Sequence, residues 1–163
     1  MGAWINLTDE ETDGAWNRVR LRLRFRPSVR AEDWPGILEP KPFRTFSVSR
    51  FWEAPDRDDL VADFESKAAR MLQSCTAPTD RLYALDWQHS CYWLTPHLLV
   101  AGVPWTIPAY PDGDYYMFLS ENLDVGWFGH PWEQSICVFG SRLLRALDAN
   151  KPALFTEVMR AAV

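Results

Sequence analysis

From Arg81 to Phe139 apolar and aromatic residues recur at period two, with turn-forming residues every few positions. A chain patterned this way folds back and forth into a sheet. The pattern predicts strands near 81–87, 91–97, 103–109, 114–120, 124–128 and 134–139. Connections this short join antiparallel neighbours, because a parallel pair needs a long crossover. Upstream, Thr45 to Trp52 is rich in β-branched and aromatic residues and predicts one more strand.

Helical periodicity lies on either side of this run. Thr8 followed by Glu11 forms a capping-box pattern, and Ala15, Trp16, Val19 and Leu23 recur at helical spacing, predicting a first helix from Asp9 to about Arg24. Its second half has a rival reading as a strand, since Val19, Leu21, Leu23 and Phe25 alternate with Arg18, Arg20, Arg22, Arg24 and Arg26. Residues 27–43 carry Pro27, Pro35, Pro40 and Pro42 and read as an irregular crossing segment pinned by Trp34. Asp56 to Cys75 places Leu60, Phe64, Ala68, Met71 and Leu72 on one helical face. Ser141–Leu147 and Pro152–Met159 read as two closing helical pieces, the second with proline at a permitted first-turn position. The expectation is a single α+β domain spanning 1–163, a mainly antiparallel sheet of about five to seven strands with helices packed on one face.

Charge and length narrow the function classes. A formal net charge of −5 opposes binding to phosphate backbones, so no nucleic acid is expected as partner. No apolar run approaches the roughly 18 residues of a membrane span, and Met1-Gly2-Ala3-Trp4 opens no signal sequence. A cytoplasmic protein without membrane contact is expected. Three cysteines, Cys75, Cys91 and Cys137, match no metal-ribbon spacing and suit reduced thiols.

Reactive side chains concentrate between Tyr83 and Gly140, which hold all three histidines, His89, His97 and His130, and five of the nine tryptophans. Asp86 follows the apolar run Leu82-Tyr83-Ala84-Leu85 and precedes Trp87, surroundings that strip water from a carboxylate; it must be paired or its pKa rises. His89 is within reach as an acid–base partner. The structural alternative makes Asp86 a cap for the turn at 88–90. In Gly129-His130-Pro131-Trp132-Glu133, proline fixes the backbone after an imidazole, and an indole adjoins a carboxylate. That segment reads either as a rigid recognition turn or as a corner leading into a buried strand.

Asp86, His89, His130 and Glu133 are therefore the candidate catalytic residues. Trp87, Tyr92, Trp105, Tyr115 and Trp132 are the candidate ligand-stacking set. Three histidines plus a carboxylate are enough ligands for zinc or iron, yet no His-Glu-x-x-His or Cys-x-x-Cys spacing is present, and no metal or other cofactor is assigned. Cys91 near His89 and His97 raises nucleophilic catalysis, against inert packing of a small apolar thiol. Asp112, Asp114, Glu121 and Asp124 near turn ends favour a cation or are solvated tips. Nucleophile-elbow, Walker and dinucleotide-binding glycine motifs are missing.

Several stretches together resemble a bacterial family known as domain of unknown function 2716: Trp4-Ile5-Asn6-Leu7-Thr8, Phe25-Arg26-Pro27-Ser28, Phe139-Gly140 and Asn150-Lys151-Pro152. The resemblance covers nearly the whole chain and implies no activity and no set of catalytic residues. Two functions are expected on the residues alone. One is a small-molecule or short-peptide-binding domain, acting by cofactor-independent acid–base catalysis (hydrolysis, elimination or cyclisation) in an aromatic groove. The other is a non-catalytic protein-binding module of immunity or antitoxin type. Convergence of Asp86 and His130 in a concave pocket favours the first, and a flat aromatic patch the second.

Overall fold

The computed structural model describes all residues, 1–163. Eight strands form one sheet: β1 (Trp4–Asn6), β2 (Phe43–Ser47), β3 (Leu82–Asp86), β4 (Tyr92–Leu94), β5 (Tyr116–Leu119), β6 (Gly126–His130), β7 (Ser135–Phe139) and β8 (Glu157–Ala162). The spatial order is β1-β4-β3-β5-β6-β7-β2-β8, and every neighbouring pair is antiparallel. Three helices complete an α+β fold: α1 (Asp9–Leu23), α2 (Arg57–Ser74) and α3 (Ser141–Ala149). No helix is long and apolar enough to cross a membrane.

Alternation splits each central strand between two cores. Leu82 and Ala84 of β3, Tyr116 and Phe118 of β5, Trp127 of β6 and Ile136 and Val138 of β7 pack with Phe64, Ala68, Met71 and Leu72 of α2 and Leu143 and Leu147 of α3. Tyr83, Leu85, Met117, Leu119, Phe128, Cys137 and Phe139, from the intervening positions, pack with Ala15, Trp16, Val19 and Leu23 of α1. The expected placement of all helices on one face is therefore corrected: α1 covers the face opposite α2 and α3. Both faces of a central strand such as β3 are apolar, which is the signature of a sheet buried on both sides.

The strand count of eight also exceeds the five to seven expected. β1 is too short to register as a periodic run. Residues 103–109 are irregular chain, not a strand, since Pro104 and Pro108 remove two ladder donors from a seven-residue stretch. The closing segment is strand β8 rather than helix; pairing with the open edge of β2 satisfies backbone groups on both, and Arg160 turns inward there to meet Glu39 and Glu133. The first helix ends at Leu23 with Arg24 in the left-handed conformation, and its capping box is complete: the Thr8 amide donates to Glu11 at 2.8 Å and the Glu11 amide to Thr8 at 3.1 Å. Helix thus wins over strand for residues 19–23, and the arginines spread around its outer surface; Arg18 donates to the Glu121 carbonyl.

Candidate functional site

The register of β3 on β5 sets Asp86 opposite Tyr116, which brings the loop 111–115 against the turn 87–90. Pro111 holds that loop down by packing on Gly129, where a β-carbon would lie 3.0 Å from the proline ring. Three side chains meet at this strand end. The His89 Nδ1 lies 3.0 Å from Asp86 Oδ1 and 3.3 Å from Asp114 Oδ2. Both carboxylates are also tied to the backbone. The Gln88 amide donates to each at 3.3 Å, and the Tyr115 amide donates to Asp114 at 2.8 Å. Beside them the Tyr116 hydroxyl donates to Asp112 at 2.6 Å.

Burial is unequal across this cluster. Asp114 is 8% exposed, whereas the His89 side chain is 70% exposed. Desolvation, with the adjacent Asp86 carboxyl adding to it, pushes the Asp114 pKa up to about 6. The hydrogen bond and the charge of Asp86 raise His89 above its ordinary value, with Asp114 contributing less. Because Nδ1 donates to carboxylate, the free nitrogen of His89 is Nε2, which makes no hydrogen bond within the chain and faces solvent. Donor atoms of Asp86, His89 and Asp114 all lie within 4.8 Å of one another, so the three can also hold a cation. Asp114 belongs to this site although only its acidity, not its partnership with Asp86, was visible in the sequence.

His130 and Glu133 do not join this site. Asp86 pairs with Tyr116 and Tyr116 with Gly129, so two strand spacings, about 10 Å, separate the ends of β3 and β6. The faces differ as well: Asp86 follows the alternation of Leu82 and Ala84, while His130 follows Phe128. His130 is fully buried among Trp34, Tyr115 and Phe128. Its Nδ1 accepts the amides of Trp132 and Glu133 at 3.2 and 3.0 Å, and burial lowers its pKa to about 4. Glu133 receives Arg160 through two nitrogens at 2.8 and 3.0 Å; against the upward push of burial, these bonds hold its pKa below the usual value. This turn is a corner of the fold.

The aromatic candidates divide likewise. Trp87 is partly exposed and stands edge-on to Tyr115, itself buried and bonded through its hydroxyl to the Ser28 carbonyl. Tyr92 and Trp105 sit on the other face around Trp4, and Trp132 is exposed at the β6–β7 corner. They line no common groove. Cys91 is buried with its thiol pKa raised by desolvation, which makes it a poor nucleophile. His97 clamps the chain by donating to the Thr76 carbonyl at 2.9 Å. A cleft of about 470 Å³ lies apart from the Asp86–His89–Asp114 cluster, between α2 and residues 99–105, and Trp105 is on its wall.

Comparison with known proteins places these features in a family. The chain belongs to the family described as protein of unknown function (DUF2716), whose model matches residues 6–144. It is similar to the uncharacterized protein YxiI of Bacillus subtilis (strain 168), with 33% identity over 159 residues, 93% of this chain and 96% of that protein. No solved structure matches significantly.

Proposed function

We propose that this is a cytoplasmic small-molecule-binding domain that performs acid–base chemistry through His89, without a redox cofactor. One observation carries the reading: an exposed imidazole is oriented through Nδ1 by a partly buried aspartate, leaving Nε2 directed outward to exchange a proton with a ligand. Asp86 is the positioning residue. Asp114, buried behind it, withholds full negative charge until the pH passes about 6, so the cluster changes protonation close to neutrality. Trp87, the next residue after Asp86, offers an exposed aromatic ring edge-on to Tyr115. Three buried, unpaired cysteines fit a reducing compartment.

Histidine NMR tests this on the intact chain. Long-range proton–nitrogen correlations should show neutral His89 protonated on Nδ1, with its midpoint above the ordinary histidine value and falling in Asp86→Asn. A neutral Nε2–H tautomer, or a midpoint indifferent to Asp86→Asn, removes the proposal's basis. The spacing of the donor atoms favours a second reading, a divalent cation held by Asp86, His89 and Asp114. Zinc added in stoichiometric amount should then shift His89 and the 112–116 amides saturably; a linear, unsaturated response excludes it.

A further inference from the structure

The cleft between α2 and residues 99–105 has a wall chemistry of its own. Val61 and Ala69 of α2 face Leu99, Val103 and Trp105, and the volume of about 470 Å³ is in the range of small-ligand sites. The segment that enters the cleft loop is anchored on α2. The Gln73 side chain donates to the Pro96 carbonyl at 3.0 Å and His97 to the Thr76 carbonyl, tying the segment that leads into the loop to the end of α2. The rim leaves Val100 65% and Val103 56% exposed, apolar surface that this chain does not bury.

Glu65 marks the polar end. It lines the cleft, is half-buried, and makes neither an ion pair nor a side-chain hydrogen bond with any other residue. Its neighbour Lys67 is committed to Asp63 at 2.6 Å. Burial raises the Glu65 pKa. A desolvated carboxylate without a partner is costly, and a ligand cation is the natural complement. Arg70, also on the wall, is exposed and solvated.

We propose that this cleft binds a small apolar amine, its ring or branched alkyl body against Val61, Leu99, Val103 and Trp105 and its ammonium group on Glu65. The site is independent of the His89 cluster, and either can stand without the other.

Amide-detected NMR titration of the full chain at neutral pH tests it with three matched probes: phenethylamine, 2-phenylethanol and 3-phenylpropionate. Phenethylamine should saturate shifts at Ala69, Gly102 and Val103, binding roughly fivefold more tightly than the alcohol and more tightly still than the acid. Glu65→Gln should reduce the amine to the affinity of the alcohol. Ala69→Phe, which fills the cleft, should abolish all three responses while thermal unfolding confirms that the variant is folded. Equal or stronger binding of 3-phenylpropionate, an amine response unchanged in Glu65→Gln, or no saturable amine response at these positions overturns the proposal.

Discussion

Two histidines, each with a carboxylate three residues away, end in opposite chemical states. His89 sits at the surface with Asp86 and Asp114 against one nitrogen, and its affinity for a proton rises. His130 sits inside, its Glu133 neighbour given over to Arg160, and its pKa falls to about 4. A nearby carboxylate therefore says little about an imidazole. What decides is whether water or the carboxylate itself can still solvate the charged ring: at His89 both do, and at His130 the Nδ1 lone pair is already spent on two amides.

The largest test of that contrast is truncation of the buried ring. His130→Ala strands the Trp132 and Glu133 amides and opens a cavity among Trp34, Tyr115 and Phe128. Chemical denaturation should report a loss of about 3 to 4 kcal/mol. A loss under about 1 kcal/mol would mean that the corner does not depend on the imidazole.

A smaller effect follows from pH. For His130 the folded pKa, about 4, lies below the unfolded value near 6.5, so its contribution to stability is complete above that value and is lost as pH falls through the window between them. Asp114 works in the opposite direction, because its folded pKa of about 6 exceeds the unfolded one and stability is lost as pH rises. In Asp114→Asn the His130 contribution is exposed: urea unfolding should show a loss of roughly 2 kcal/mol at most between pH 7 and pH 5, and the wild type less. A larger loss in the wild type than in Asp114→Asn reverses the assignment.

The contrast also explains what the residues revealed in advance. The Asp86–His89 pair was legible because both partners lie within four residues, on either side of one turn. Asp114 was not, since its place depends on the β3–β5 register, which no local pattern specifies. The capping box and the apolar faces of α1 and α2 were legible for the same reason of locality, whereas the face on which α1 lands is a tertiary outcome. The apolar character of β3 at every position from Leu82 to Leu85 did carry that information, because a strand apolar on both sides needs cover on both. β8 stayed hidden because it is an edge strand whose mostly exposed residues Glu157–Ala162 keep no clean alternation.

The smallest expected effect is the most discriminating for function. His89→Gln removes a mostly exposed side chain that packs against no core cluster and bonds only to Asp86 and Asp114. Both acids keep their backbone donors from Gln88 and Tyr115, so the strand end remains capped without the ring. Denaturation midpoints of His89→Gln and wild type at neutral pH should therefore coincide. If denaturation instead shows a loss comparable to that of His130→Ala, His89 is holding the two aspartates together as architecture, and the outward Nε2 has no claim to chemistry. A stable, unchanged His89→Gln protein leaves the imidazole free of any structural duty and makes it the side chain to follow in ligand screens.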